Sequence, residues 1–176
     1  NRSSESSPEE NRCKGASSSG VLLQCECLNQ VVSVSQEMID TYEELSARLQ
    51  ANNVSMTNFE LDDGLRFSCD DSDNQAIWWL AEDVISRDQG GTSALSTIEL
   101  IQRHALGSFY IATSGGRWSE NTLWMTSETE CEWAGLDCNS DGHVDTMLLS
   151  ELNLEGTIPS SISGLSELAK IDLHQN

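Results

Sequence analysis

VDTMLLSELNLEGTIPSSISGLSE (residues 144–167) runs directly into LAKIDLHQN (168–176), and these two stretches decide the fold. Val144, Met147, Leu149, Leu154, Ile158, Ile162 and Leu165 are spaced at neither the helical period of about 3.6 nor the strand period of about 2.0. The pattern then restarts, since Leu168, Ile171 and Leu173 lie 24 positions after Val144, Met147 and Leu149. The spacing inside each unit is also the same. A self-match at a fixed period outranks local propensity, because it marks a stacked unit. One such unit cannot bury its own apolar face, so units stack and the first one needs a lid.

The lid is expected upstream. Residues 1–20 are Ser, Glu, Asn and Gly with almost nothing apolar, which predicts a polar tail or stalk. Residues 21–92 read as a helical, cysteine-containing region, and Val21-Leu22-Leu23 as a short buried segment. A first helix is predicted over about 30–51, with Val31, Val34, Met38, Tyr42, Leu45 and Leu49 on one stripe. Residues 53–72 read as irregular, anchored by Phe59, Leu61, Leu65 and Phe67. Ser72 or Asp73 is the expected cap of a second helix, which carries Ala76, Ile77, Leu80 and Val84 and ends at Gly90-Gly91. Residues 93–143 form the lid proper. Ser96 and Glu99 spell a capping box at the start of a third helix with the stripe Ile98, Ile101, Ala105, Phe109 and Ala112, stopped by Gly115-Gly116. Trp118, Trp124 and Trp133 are expected to pack over Val144, Met147 and Leu149.

The repeat residues resemble the plant-type leucine-rich repeat (LRR), whose unit reads LxxLxLxxNxLxGxIPxxLxxLxx. Leu154, Gly156, Ile158-Pro159, Ile162 and Leu165 fall in place, and Asn176 fills the position of the asparagine ladder. Leu152 stands where the first unit should have Asn. Cys131-Glu-Trp133-Ala-Gly135-Leu-Asp-Cys138 resembles the C-x-W-x-G-V-x-C signature of the N-terminal cap of such proteins. The stretch 101–134, with an RxAL helix core and a Gly-Gly-x-Trp turn, is similar to the cap of LRR proteins from algae, diatoms especially, as is NQAIWWLAED (74–83). The resemblance covers roughly 73–176. It implies an α+β chain: a helical, disulfide-stapled N-terminal region and cap leading into the start of a right-handed parallel-β solenoid, with strands near 146–149 and 170–173. Residues 144–176 would then be the first repeat and the start of a second, cut before its Leu-x-Gly-x-Ile-Pro half. More repeats or a partner chain are expected to cover residues 168–176.

Composition narrows the function classes. Nine Lys and Arg stand against 29 Asp and Glu, a formal net charge of -20. Such a surface repels phosphate backbones, so no nucleic-acid partner is expected; the charge reads first as keeping a secreted protein soluble, with a basic partner or divalent cations as the alternatives. No apolar run reaches the roughly 18 residues of a membrane span. The chain opens on Asn1 without an initiator Met, and processing or an upstream segment is expected. Six cysteines (Cys13, Cys25, Cys27, Cys69, Cys131 and Cys138) point to disulfides and a secretory route, since Cys25 and Cys27 do not have zinc-ligand spacing. Sequons at Asn1 and Asn53 agree with that route. A Cys131–Cys138 bridge is expected from their closeness and the cap signature. Cys69 is expected to bond Cys25 or Cys27, and the remaining one to bond Cys13.

Chemical motifs are sparse. Asp137-x-Asn139-x-Asp141-Gly142 matches the opening of an EF-hand loop, but Leu148 stands where its bidentate carboxylate belongs, so a polar turn is the better reading and no metal is expected. His104, His143 and His174 are scattered, and no nucleophile elbow, phosphate loop or dinucleotide motif is present. Neither an enzyme nor a cofactor is expected. The expected function is non-enzymatic recognition of a protein, peptide or glycan outside the cell or at its surface. The alternative is a structural subunit of an extracellular or membrane-associated assembly. In the LRR spacing the outward positions are Asp145, Thr146, Leu148, Ser150 and Glu151, then Ala169, Lys170, Asp172, His174 and Gln175, and these are the expected ligand contacts.

Overall fold

The computed structural model describes residues 21–25, 30–54, 65–67, 71–87 and 91–176. The polar tail, the sequon at Asn1, Cys13, Cys27, Cys69, Phe59, Leu61 and Gly90 lie outside the described residues. The chain is α+β. Strands β1 (Val21–Cys25), β2 (Gln30–Val34) and β3 (Leu65–Phe67) form one sheet; helix α1 (Gln36–Ala51) lies between β2 and β3 in the chain, and helices α2 (Ser72–Arg87) and α3 (Thr97–Ala112) come after β3. Strands β4 (Leu136–Cys138), β5 (Val144–Leu148) and β6 (Lys170–Asp172) form a second sheet.

The first sheet has the order β2-β1-β3, with β1 antiparallel to β2 and parallel to β3. This corrects two expectations. Residues 30–34 are a strand rather than the first turns of a helix, because Val31, Val32 and Val34 are β-branched and stiff at χ1. Ser35 supplies the helix start five residues later than expected, its side chain accepting from the Met38 N–H at 3.2 Å. Residues 65–67, expected to be irregular, are the strand β3.

The helices pack in sequence, α2 lying between α1 and α3. Leu45, Leu49, Ile77, Leu80 and Leu100 are fully buried between them. Each such side chain contributes about 1.5–3 kcal/mol relative to exposure. Asp71, not Ser72 or Asp73, caps α2: its Oδ1 accepts from the N–H groups of Asp73 and Asn74 at 2.9 and 3.1 Å. Helix α2 ends at Arg87, and Gly91 opens a 3-10 turn that runs to Ala94. Arg48 near the end of α1 donates to the carbonyls of Thr92 and Leu95, fixing that turn.

Ser96 and Glu99 form the capping box of α3, both reciprocal bonds being present. The stripe of α3 is displaced from the expected one. Ile98 is 51% exposed, whereas Gln102, Arg103 and His104 are buried. The helix ends at Ala112 with Thr113 as its C-cap, three residues before the expected Gly115-Gly116 stop. Ser114 in the left-handed region turns the chain, and Gly115 then packs so closely on the Tyr110 ring that a Cβ would collide with it.

A second core joins α3 to the repeat stretch. Trp118, Trp124 and Trp133 are buried with Ala105, Leu106, Phe109, Val144, Met147 and Leu149. Trp118 and Trp124 meet edge to face at 4.9 Å, a favoured geometry for aromatic pairs. Their indole N–H groups donate to the carbonyls of Thr113 and Ala134. Cys131 and Cys138 are joined by a disulfide across the Trp133 turn.

Candidate functional site

Strand β5 is the middle of the second sheet. It pairs antiparallel with β4 and parallel with β6, the Cα partners being Thr146 with Lys170, Met147 with Ile171 and Leu148 with Asp172. Each parallel pair is separated by 24 residues. Beyond the strands the match continues: the Leu149 N–H donates to the Asp172 carbonyl at 2.8 Å and the Glu151 N–H to the His174 carbonyl at 3.1 Å. Glu151 and Gln175, again 24 apart, both have positive φ, at 61° and 58°. Asn176 closes this turn. Its Oδ1 accepts from the N–H groups of Leu152 and Leu154 at 2.9 and 3.1 Å, and its Nδ2 donates to the carbonyls of Leu149 and Leu173.

The pleat turns Met147 and Leu149 into the core and leaves Leu148 40% exposed. Thr146 and Ser150 are half-buried, and Asp145 is half-buried at the strand start. Lys170 lies exposed beside Thr146, and Asp172 lies half-buried beside Leu148. Ala169, Gln175, Glu151 and His174 are exposed. Thr146 and Leu148 thus alternate with the buried Met147 along β5, with Lys170 and Asp172 as their Cα partners on β6.

Charge on this face is organised by His174. Its Nδ1 lies 2.7 Å from Asp172 Oδ1, its backbone N–H donates to the same oxygen at 3.1 Å, and its Nε2 is 4.0 Å from Glu151 Oε1. The bond from the His174 side chain holds the Asp172 carboxyl below its usual range. One imidazole thus links carboxylates from two successive turns. Asp145, Glu151 and Asp172 outnumber the single fixed cation Lys170.

The turn between β4 and β5 uses its polar residues on itself. Asn139 Oδ1 accepts from the Asp141 and His143 N–H groups, the Asn139 N–H donates to the His143 carbonyl, and Gly142 takes φ 80°. Asn139 is thereby committed to the backbone. Among the described residues no three His, Cys, Asp or Glu side chains converge as metal ligands. No helix among the described residues is long and apolar enough to cross a membrane. Asn53 is exposed just past α1, while of Cys25 only the backbone position in β1 is described.

Comparison with known proteins bears on the same architecture. Over 54 residues the chain is 43% identical to a probable leucine-rich repeat receptor-like protein kinase of Arabidopsis thaliana. Over 55 residues it is 42% identical to MDIS1-interacting receptor like kinase 1 of that plant, and over 56 residues 38% identical to its phytosulfokine receptor 2. The chain has leucine-rich-repeat character. Each match covers 30% of this chain, and the chain spans only 6%, 5% and 5% of the three relatives. No family model matches the chain, and no solved structure matches it.

Sequence reasoning missed the buried polar set that holds this second sheet to the helices. Gln102 Oε1 accepts from the Val144 N–H at 2.7 Å, and Gln102 Nε2 donates to Glu130 Oε2 at 3.3 Å. Arg103 sits beside it, paired with Glu130 and Asp83. The available signal was the run Gln102-Arg103-His104 inside an otherwise apolar helix, which a stripe count treats as an outer face.

Proposed function

We propose that the chain is the cap and opening turns of an extracellular LRR solenoid that acts by recognition rather than catalysis. The observation that carries the reading is the parallel pairing of β5 with β6 at an offset of 24 residues, with Asn176 bonding the backbone of the preceding turn. Parallel strands joined by a crossover are almost always right-handed, which gives the solenoid its hand. Helix α3 and the Trp loop serve as the cap. In sequence that cap resembles algal, diatom-like caps.

The partner is a protein or peptide carrying basic groups, bound on the face of Thr146, Leu148, Ser150, Glu151, Lys170, Asp172 and His174. Leu148 offers apolar area at the centre and the carboxylates surround it, which is the usual arrangement of an apolar core with a polar rim. The partial relatives are named as receptors and receptor-like kinases, which supports a receptor-type ligand region at the cell surface.

The test is equilibrium binding of Lys/Arg-rich peptides selected from a random library on the whole chain. Reversing charge with Glu151→Lys and Asp172→Lys together is expected to weaken binding by about ten-fold or more and to flatten its salt dependence. Unchanged affinity in that double variant would remove the face from the account.

A further inference from the structure

Asn53 stands one residue beyond the C-cap of α1, in the left-handed region that ends helices, at φ 61°. Its own N–H donates to the Gln50 carbonyl at 3.0 Å and the Val54 N–H to the Leu49 carbonyl at 3.1 Å, so the backbone here is fixed while the side chain stays exposed. Asn53-Val54-Ser55 is an acceptor sequence for N-linked glycans.

A cleft of about 320 Å³ opens beside Asn53, bounded by Val54, by Ile101 on α3 and by the 3-10 turn Ser160–Gly164. Small-ligand sites begin at about that size. Within it Ser161 is 5% exposed, and its hydroxyl has no hydrogen-bond partner among the described residues. Buried hydroxyls are normally paired, so an unpaired one lining a cleft calls for a partner from outside. The Ser163 hydroxyl, by contrast, donates to the Ser160 carbonyl at 2.9 Å.

The lining identifies the class of that partner. In a chain of net charge -20, none of the described lining residues is charged. Among the described lining residues an anionic or cationic ligand therefore finds no counter-charge. Serine hydroxyls and an asparagine amide both donate and accept, while Val54 and Ile101 add a small apolar patch. Hydroxyls and an acetamide around a ring with C–H faces match this mixture.

We propose that Asn53 carries an N-linked glycan and that its first N-acetylhexosamine seats in this cleft on the Ser161 hydroxyl. The donor is a lipid-linked diphosphate oligosaccharide. The Asn53 side-chain nitrogen forms the bond to the anomeric carbon, the bond from that carbon to the diphosphate oxygen breaks, the lipid diphosphate leaves, and the amide gives up one proton. The seated sugar bridges the end of α1 to the turn that follows the first repeat strand, so it clamps α1 onto the repeat. The inference rests on the secretory route proposed above and not on recognition by the strand face.

The experiment expresses the whole chain in a secreting eukaryotic host. Peptide mapping reads occupancy at Asn53, and amidase release of the glycan is timed on native protein. Asn53 is expected to be occupied, with release from native Ser161→Ala several-fold faster than from the parent chain. In the parent, NMR is expected to show the N-acetyl methyl group against the methyls of Val54 or Ile101, a readout independent of the variant. A secreted, disulfide-closed chain with Asn53 bare overturns this inference alone. An occupied Asn53 with no such methyl contacts and equal release rates overturns the seat. A chain retained in the host with Cys131 and Cys138 reduced overturns the secretory route and the inference together.

Discussion

Arg103 Nη1 donates to Glu130 Oε1 at 2.7 Å with both side chains almost wholly buried. The guanidinium also reaches Asp83 Oδ2 at 3.3 Å and the Thr126 carbonyl at 2.6 Å, and lies over the rings of Trp79 and Trp133 at 5.2 and 5.5 Å. It joins α2, α3 and the Trp loop at one point. Removing one partner of a buried pair leaves an uncompensated charge, at a cost of about 3–5 kcal/mol. Arg103→Ala is therefore expected to lower the unfolding free energy by about that much, measured by denaturant titration. Arg103→Met combined with Glu130→Gln should lose less, since Glu130 is then neutral and Asp83 keeps its pair with Arg87 at 2.6 Å. A single variant that unfolds at the parent's midpoint would show the pair to be energetically idle.

His104 is fully buried and lies 3.2 Å from the Asp73 carbonyl. Burial lowers its pKa, against the opposing pull of the Asp73 and Asp71 charges. The folded state therefore holds the neutral ring, while the unfolded chain takes up a proton near 6.5. The contribution is complete above pH 6.5 and declines as pH falls below it. Thermal unfolding of the parent should lose ground between pH 6.5 and 5, and His104→Gln should flatten that decline. Parallel pH profiles for the two would refute the assignment.

These two buried groups also show why part of the fold was hidden in the sequence. The capping box at Ser96 and Glu99 and the stop near Ala51 were legible because each is local chemistry within a few residues. The 24-residue match was legible because it is a period. The inward Arg103 and outward Ile98 were not, since which face of α3 turns inward depends on acids contributed from Asp83 and Glu130. Residues 30–34 were misread for a related reason: their valines fit a helical stripe as well as a strand, and only pairing with β1 decides between them. On the strand face the outward positions were expected from the period alone, whereas the His174 link between Asp172 and Glu151 needed the register.

Asn176 carries five backbone bonds through one amide. Asn176→Ala leaves the Leu152 and Leu154 N–H groups to water, in a partly exposed setting where a hydrogen bond is worth about 1 kcal/mol net. Hydrogen exchange should accelerate at Leu152 and Leu154 while amides in α3 keep their protection. Uniform acceleration across the chain would mean that the turn is not a separate unit.

Gly156 has φ 139°, and a Cβ there would run into the Ala112 carbonyl at the end of α3. Its neighbours bond the same helix end, the Glu155 N–H to the Thr113 carbonyl and the Thr157 N–H to the Ala112 carbonyl. Gly156→Ala combines backbone strain with loss of this docking and is expected to cost on the order of 3 kcal/mol. Differential scanning calorimetry checks it, and a melting temperature within a degree of the parent would contradict the close approach.

Recognition through the strand face is tested most directly by asking which residue touches a bound peptide. A photoreactive side chain is placed at Leu148, 40% exposed in the middle of the face, and separately at Ile98, 51% exposed on α3. Each variant is irradiated with a basic peptide selected on the whole chain. The account predicts covalent capture from position 148 and none from 98, with the capture at 148 lost when Glu151→Lys and Asp172→Lys are added. Capture from position 98 with none from 148 would contradict it.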